Sequence, residues 1–310
     1  MRTITTSEGN FSNELLNHIK EKNNKEIPRY IYHYTSIESL FAGILVNDNN
    51  ETKVCLRATN ALYLNDPTEI KRSISFLEKI FGTKIINDYN DYLEYSSNYF
   101  VTSFSCNKDE LPMWDMYTKD SSGIVLCFDT NMIPQKTSLL NCIYEDEKLI
   151  DFIDEFIQNN ENNAKENNND LCNKKSLWCF AFIFSLIIIV YAHNEEFGKE
   201  FNKDINENLL SILKYAISLK NPSYNYEKEV RLITIFMDSD EAKEKVKFYY
   251  KNNYIIPYIE HYFPKEALKE IIVGPNNDFD RIRFSIKTYL KHIGFEHVKI
   301  THSNISYRKS

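Results

Sequence analysis

Glycine and proline are scarce in this sequence, and the short motifs of several enzyme classes are missing. Only 7 glycines and 8 prolines occur among 310 residues, so we expect no long flexible linker. Neither a GxGxxG pattern nor a P-loop is present, which leaves a Rossmann domain or an NTPase without support. The chain also has no GxSxG nucleophile elbow and no HExxH zinc motif. Its chemistry has to be sought in less familiar patterns.

The cysteines form no recognisable framework. None of the 6 cysteines belongs to a CxxC pair or has zinc-finger spacing. Cys106, Cys127 and Cys179 lie in apolar runs, where a free thiol behaves as a small hydrophobic group. The N-terminal residues show no hydrophobic signal-peptide core. These features predict reduced cysteines and a cytoplasmic protein.

The overall charge is negative, with a formal value of −7. An acidic chain lacks the general attraction on which most nucleic-acid binders rely, so the sequence carries no strong nucleic-acid signature. A locally basic groove is still compatible with it. The hydrophobic fraction of 43% and the aromatic fraction of 14% are typical of a globular protein.

One long apolar run stands in the middle of the chain. Residues 177–192 read LWCFAFIFSLIIIVYA, which is shorter than the roughly 20 residues that span a bilayer. A buried core helix is the favoured interpretation, and a membrane-associated helix is the alternative. An asparagine-rich loop is predicted just before this run, at about 158–176.

The remaining patterns predict an α+β fold of mixed topology. Strands are expected at 29–34, 99–105, 123–129, 226–236, 270–273 and 298–301, and helices at 36–45, 67–81 and 279–292. We interpret residues 29–310 as a single domain, with central sheets and surrounding helices. Residues 1–28 are expected to form a peripheral N-terminal segment.

The first candidate for chemistry is His33, at the end of the strand RYIYHY. Alternation places Arg29, Ile31 and His33 on one face. A helix is predicted to begin just after this strand, with Thr35 to Glu38 as a capping box. The free N–H groups of a helix N-terminus suit a ligand hydroxyl or phosphate. The alternative is a histidine that only hydrogen-bonds a neighbouring loop.

The second candidate is the segment YEKEVR at 226–231. If it is a strand, Glu227, Glu229 and Arg231 share one face at intervals of roughly 6–7 Å. A carboxylate there can act as a base or stabilise a developing cation. The alternative is a solvated strand face with a glutamate–arginine ion pair.

Two further segments have both a functional and a structural interpretation. Ser103, Trp114 and Tyr117 suit the rim of a cleft, where a ring stacks on a flat ligand, but aromatic core packing is the alternative. Asp66 and Glu69 in NDPTE are explained by capping of a helix, which leaves Asn65 unexplained.

Taken in order, these landmarks resemble a bacterial family known as domain of unknown function 2971. They are YHYTS at 32–36, LYLNDPTE at 62–69, SFS at 103–105, MWDMY at 113–117, GIVLCFD at 123–129, YEKEVR at 226–231, IIVGPN at 271–276 and SNISYR at 303–308. The resemblance rests on their order and spacing, and it runs from residue 29 to residue 308.

The layout of this family is similar to that of the ADP-ribosyltransferase superfamily, and that similarity implies roles for individual residues. His33 would bind a ribose of NAD, with Tyr34, Thr35 and Ser103 beside it. Trp114 or Tyr117 would stack on the nicotinamide, with Tyr63 as a rival, and Arg57 would pair with a phosphate. Glu229 would be the catalytic glutamate, and Glu227 would orient the acceptor as in an ExE pattern.

The resemblance therefore implies an enzyme that consumes NAD as a substrate, either an ADP-ribosyltransferase or an NAD glycohydrolase. Its acceptor would be a protein, a nucleic acid or water, and its role that of a toxin or an antiphage defence effector. Alternatives stay open: a Mg²⁺-dependent hydrolase or nuclease using Asp66, Glu69, Glu227 and Glu229, a non-catalytic binding or regulatory module, or a membrane-acting effector. No metal ligand set is assigned, and the oligomeric state is left open.

Overall fold

The structure is a computed structural model that describes residues 17–22, 25–48, 51–81, 84, 86–134, 139–144, 211–236 and 239–306. The predicted asparagine-rich loop and the apolar run at 177–192 lie outside these residues. Over the described ranges, none of the helices has the length and apolar character needed to cross a membrane.

The described strands form one mixed sheet, so the predicted α+β class is confirmed. They are β1 (Tyr30–Thr35), β2 (Leu45–Asp48), β3 (Glu51–Asn60), β4 (Tyr99–Ser105), β5 (Ile124–Asp129), β6 (Leu139–Asn141), β7 (Glu229–Ile235), β8 (Lys247–Lys251), β9 (Tyr254–Pro264), β10 (Leu268–Val273) and β11 (Lys299–His302). The sheet order is β11-β10-β5-β1-β4-β3-β9-β8. Off this path, β2 pairs with β3, and β7 pairs with β4 and β6. The pair β10–β11 is parallel.

The longer helices are α1 (Glu69–Phe81), α2 (Tyr89–Ser97), α3 (Leu111–Tyr117), α4 (211–218), α5 (Ser239–Lys245) and α6 (Phe279–His292). Helical residues also occur at 17–22 and Ile37–Ser39, and a π turn over Leu40–Ile44 follows the latter. Short 3-10 turns cover Ala61–Tyr63, Lys119–Ser121, Thr130–Met132, Pro222–Glu227 and Lys265–Ala267.

Helix starts follow the capping residues that the sequence offers, with two corrections. Asp278 accepts a hydrogen bond from Arg281 N and begins α6, as predicted. Asp66 Oδ1 accepts one from Thr68 N at 2.8 Å in the turn before α1, and the helix begins at Glu69, two residues later than predicted. The predicted capping box at Thr35 is wrong by one residue, because Ser36 is the cap and accepts from Ser39 N.

The chain divides into two compact units. The sheet unit comprises 26–64, 96–142 and 223–310 and holds every described strand, and the helical unit comprises 1–25, 65–95 and 143–222. Inside the helical unit, the ring centroids of Phe76 and Tyr215 lie 5.0 Å apart, and buried Glu69 pairs with Lys220 at 3.6 Å. The prediction of one domain over 29–310 stays a prediction.

The two faces of the sheet have different chemistry. Residues paired directly across neighbouring strands share a face, so the registers Tyr32↔Ser105 and Ser105↔Glu229 put these three side chains on one side. We call this the tyrosine face, because Tyr32 and Tyr34 lie on it. The opposite side, the core face, carries the main hydrophobic cluster, which includes Ile31, Phe104, Leu126, Phe128, Val230, Leu232 and Phe263.

A histidine outside every sequence motif lies inside the core face. His261 is 6% exposed, and its Nδ1 and Nε2 atoms bond the hydroxyl groups of Thr102 at 2.8 Å and Thr234 at 2.9 Å. These three residues come from β9, β4 and β7. Burial lowers the pKa of His261 to about 4, so the ring is neutral at pH 7 and serves to connect strands.

This histidine makes stability depend on pH. Between pH 6.5 and 4 the unfolded side chain binds a proton and the folded one does not, so stability is complete above pH 6.5 and declines on acidification. From the pKa of about 4, we expect about 2 kcal/mol less unfolding free energy at pH 5.0 than at pH 7.5 from this residue. Urea unfolding of the wild type and His261→Gln at both pH values measures the difference.

His261→Gln should lose about 2 kcal/mol less stability than the wild type on acidification. His297 is an exposed histidine, so His297→Gln should behave like the wild type. An equal loss in the wild type and His261→Gln would show that His261 is not the titrating group.

Candidate functional site

Three of the motifs that contain predicted site residues lie on or next to three neighbouring strands. YHYTS contributes to β1, SFS ends β4, and YEKEVR leads into β7. β4 pairs with β1 at Tyr32↔Ser105 and with β7 along its whole length. The sheet thus gathers segments that are far apart in the chain.

Two strands, β1 and β3, share one edge of β4, and neither pairs with the middle of that edge. We call this unpaired stretch the opening. β1 pairs with β4 at Ser105, and β3 pairs with β4 at Val101 and Phe100. Ser103 lies between these contacts, and its carbonyl oxygen is hydrogen-bonded by Nδ1 of His33 at 2.9 Å. The histidine side chain therefore joins β1 to β4 beside the point where the backbone ladder stops.

This contact fixes the protonation pattern of His33. A carbonyl oxygen can only accept, so Nδ1 must carry the hydrogen. Burial lowers the pKa of His33, so the ring is neutral near pH 7. Nε2 then holds a lone pair and is an acceptor. Such an atom suits the hydroxyl group of a ligand better than a phosphate.

Glu229 is already engaged by a neighbouring cation. Glu229 and Arg231 are 4% and 1% exposed, and Arg231 Nη2 donates to Glu229 Oε2 at 2.9 Å. The thiol of Cys142 donates to the same oxygen at 3.3 Å. Glu229 and Arg231 were both candidate residues in the sequence. Cys142 was not, because the strand that precedes it, β6, was not predicted.

Glu227 lies outside the strand that was predicted to contain it. β7 begins at Glu229, Lys228 has a positive φ of 43°, and Glu227 ends a 3-10 turn. The predicted common strand face of Glu227, Glu229 and Arg231 is therefore wrong for Glu227. Its buried carboxylate instead accepts from Tyr117 OH at 2.6 Å. Burial, and then the charge of this carboxylate, raise the pKa of Tyr117.

His33 and Glu229 point to opposite faces of the sheet. Glu229 is paired with Ser105, which is paired with Tyr32, so Glu229 lies on the tyrosine face. His33 is the next residue after Tyr32 and lies on the core face, with its ring 5.9 Å from that of Phe104. A ligand lying flat on either face contacts only one of the two.

The other predicted site residues divide between the faces. Tyr34 and Ser103 lie on the tyrosine face, and Thr35 lies on the core face. Tyr34 OH donates to Asn107 O at 3.2 Å, so this side chain is anchored to a loop. Tyr63 is half-buried, and its ring lies 6.1 Å from that of Tyr254.

Trp114 is part of the core rather than an open stacking platform. It is 0% exposed, packs edge-on against Tyr34 at 5.2 Å, and donates from Nε1 to Asp109 at 2.7 Å. Asp109 also accepts from Ser303 Oγ and Asn304 N at 2.7 Å each. This aspartate, which the sequence did not single out, connects the MWDMY and SNISYR landmarks.

Arg57 lies on the tyrosine face some distance along the sheet from Glu229, in β3. Its guanidinium stands 5.2 Å from the ring centroid of Tyr249 and 4.9 Å from that of Tyr258. Its register partner is Glu260. Arg57 is thus on the face opposite to His33.

The carboxylates of the metal alternative are divided between the two units. Asp66 and Glu69 belong to the helical unit, and Glu227 and Glu229 belong to the sheet unit. Among the residues that the structure describes, no group of three or more His, Cys, Asp or Glu side chains is placed to hold a metal ion.

Comparison with known proteins agrees with the sequence landmarks. The model of a family described as protein of unknown function (DUF2971) matches residues 113–232. This stretch belongs to that family. It includes α3, β5 and most of β7, and so contains the MWDMY, GIVLCFD and YEKEVR landmarks. No curated protein and no solved structure matches the chain.

The buried ion pair generates a stability prediction. Removing one member leaves a buried charge without compensation, which costs about 3–5 kcal/mol. We expect Arg231→Met to lower the unfolding free energy by this amount, and the double variant with Glu229→Gln to recover part of it. A double-mutant cycle measured by urea unfolding separates the coupling from the single effects.

Lys247→Met is the matched control, because Lys247 and its partner Glu260 are 55% and 20% exposed, and a solvent-exposed pair contributes about 1 kcal/mol or less. Strictly additive losses at Arg231 and Glu229 would contradict the coupling.

Proposed function

We propose that this chain is an NAD-consuming enzyme of the ADP-ribosyltransferase type, acting as a transferase or a glycohydrolase. The main support is that the motifs YHYTS, SFS and YEKEVR, which contain His33, Ser103 and Glu229, contribute to the neighbouring strands β1, β4 and β7. The resemblance assigns these motifs to ribose binding and catalysis. Their neighbourhood in the sheet is what such a shared site requires.

The proposal places the ligand in the opening between β1 and β3. A sheet is one backbone layer thick, so a ligand entering between two strands reaches side chains of both faces. There, Nε2 of His33 would accept a hydrogen bond from a ribose hydroxyl. A carboxylate of the tyrosine face would approach from the other side.

The reaction would break the bond between the nicotinamide nitrogen and the ribose carbon. Nicotinamide leaves with the bonding electron pair, and the oxygen or nitrogen of an acceptor forms the new bond to that carbon and releases a proton. The transition state has oxocarbenium character, so a nearby carboxylate stabilises it. Glu229 is the first candidate for this role and Glu227 the second.

Charge pairing of Glu229 bears directly on its reactivity. Arg231 at 2.9 Å offsets part of the negative charge with which the Glu229 carboxylate would stabilise a developing cation.

A second candidate function is a non-catalytic binding or regulatory module. The specific observation in its favour is that His33 and Glu229 lie on opposite faces while Glu229 is neutralised by Arg231. In that case the opening binds a hydroxyl-bearing ligand through His33 without turnover.

Release of nicotinamide from NAD tests the proposal. We expect release by the purified wild type, and a loss of roughly 10²-fold or more in Glu229→Gln and in His33→Ala. Glu227→Gln should show the smaller effect of a positioning residue if Glu229 is the reacting carboxylate. Reactions with and without cell lysate separate transfer from hydrolysis.

His302→Ala, an exposed histidine, is the control for His33→Ala, and near-UV circular dichroism verifies that each variant is folded. NAD binding without release in any condition would favour the non-catalytic module. Absence of both NAD binding and nicotinamide release would overturn the proposal of an NAD-consuming enzyme.

A further inference from the structure

The hairpin of β8 and β9 presents a free strand edge. β8 is the last strand in the sheet order, and among the described strands only β9 pairs with it. Asn252 and Asn253 form the two-residue turn between them, with positive φ values of 52° and 65°, as a tight hairpin requires. Every residue of β8 except Tyr249 is exposed. The outer edge of β8 is therefore accessible to a further strand.

The register identifies the backbone groups that point to this edge. Phe248 is opposite Pro257, and Tyr250 is opposite Ile255. Proline has no N–H group, so Phe248 and Pro257 cannot exchange the two bonds of a hydrogen-bonded pair. The two kinds of pair alternate along an antiparallel ladder, so Tyr250 and Ile255 also form a non-hydrogen-bonded pair. The N–H and C=O groups of Phe248 and Tyr250 thus point away from β9, toward the free edge.

Exposed apolar side chains stand beside these backbone groups. Phe248, Tyr250 and Ile255 are 63%, 71% and 68% exposed. The register places all three on the core face, together with half-buried Pro257. We call these four residues the apolar strip. Single apolar side chains are common on protein surfaces, but a contiguous group of them marks an interaction site.

The size of the apolar strip suits one added strand. An aromatic side chain covers about 150–250 Å², so the three exposed side chains together offer roughly 350 Å². A stable protein–protein interface buries about 800 Å² on each partner. A second copy of this chain, joined through the strip alone, falls short of that area. An extended segment is one strand wide, and it adds main-chain hydrogen bonds to the apolar contact.

The charges of β8 also distinguish between partners. Lys247, Tyr249 and Lys251 lie on the tyrosine face, opposite to the apolar strip. Lys247 is paired with Glu260 at 2.6 Å, whereas Lys251 is exposed at the tip of the hairpin. If a second copy paired antiparallel along the whole of β8, Lys251 would face Lys247, and like charges opposite each other are destabilising. An acidic side chain opposite Lys251 is favourable instead.

We propose that β8 accepts an extended segment of another protein as an additional β-strand. The segment carries apolar side chains at two alternate positions, next to Phe248 and Tyr250, and an acidic side chain opposite Lys251. Main-chain hydrogen bonds to the free edge supply affinity, and the apolar strip supplies specificity. The proposal does not depend on NAD chemistry, and its test contains no NAD.

The test begins with a phage-displayed library of random 12-residue peptides, selected on the immobilised full-length chain. We expect the enriched peptides to share apolar residues at positions i and i+2, with aspartate or glutamate at i−1 or i+3. An enriched peptide is then synthesised with a fluorescent label, and its affinity for the wild type and for variants is measured by fluorescence anisotropy.

Backbone and side-chain variants separate strand addition from simple apolar contact. Tyr250→Pro removes an outward N–H group and leaves the bonds to β9 in place, so we expect it to weaken binding at least about tenfold. Tyr250→Ser, Phe248→Ser and Lys251→Glu should each weaken binding about fivefold. Tyr254→Ser is the matched control and should leave binding unchanged, because Tyr254 is 61% exposed on the opposite face of the hairpin.

Amide hydrogen exchange provides a readout that a side-chain contact alone would not change. The amides of Phe248 and Tyr250 should exchange rapidly in the free chain, whereas the amide of Tyr249, which is bonded to β9, should exchange slowly. Addition of the peptide should slow exchange at Phe248 and Tyr250, because their N–H groups become bonded to it.

Several outcomes would overturn the proposal. They are a selection that enriches no peptide with this pattern, equal peptide affinity of the wild type and folded Tyr250→Pro, and equal losses in Tyr250→Ser and Tyr254→Ser. Far-UV circular dichroism verifies folding, and the serine variants decide the question if the proline variant does not fold. A wild-type dimer in sedimentation analysis that Tyr250→Ser abolishes would assign the edge to a second copy instead.

Discussion

The parting of β1 and β3 along one edge of β4 is the constraint on which the rest of this molecule depends. β4 is paired along its whole length on its other edge by β7, so its unpaired stretch lies on the edge that β1 and β3 share. The hydrogen bond from His33 Nδ1 to Ser103 O stands where the ladder stops. It determines the tautomer of the histidine and leaves its second nitrogen as an acceptor beside the gap.

The alternation of side chains along these strands then separates two chemistries. The core face carries the hydrophobic cluster, together with a histidine held between two threonine hydroxyl groups. The tyrosine face carries the buried Glu229–Arg231 pair and, farther out, Arg57 beside the rings of Tyr249 and Tyr258. The opening is the place where one ligand could contact both faces, which is why the functional proposal is located there.

Local patterns in the sequence predicted much of the sheet. Tyr99–Ser105 forms a strand with the predicted bounds, and α6 begins after Asp278 and ends at His292, because alternation and a capping aspartate are signals within a few residues. The β8–β9 hairpin was missed. Its sequence KFYYKNNYIIPYIEHYFP mixes apolar and polar residues without regular alternation, and both faces carry rings.

The site was less predictable, since it depends on register between distant segments. The placement of His33 and Glu229 on opposite faces follows from two pairings with β4 that no local pattern specifies. Glu227 lies outside β7 because the residue that follows it, Lys228, has a positive φ of 43°. Trp114 was predicted to stack on a ligand because its side chain is aromatic, but its contacts with Asp109 and Tyr34 hold it in the interior.

The state of the His33 ring tests the central claim most directly. Nitrogen-15 NMR of the imidazole groups, with His33→Gln to assign the signals, reports the tautomer and the charge of this ring. The account predicts a neutral ring at pH 7 with hydrogen on Nδ1, and a shift of the Nε2 resonance when NAD is added. A charged ring, or hydrogen on Nε2, would contradict the hydrogen bond to Ser103 and the acceptor role built on it.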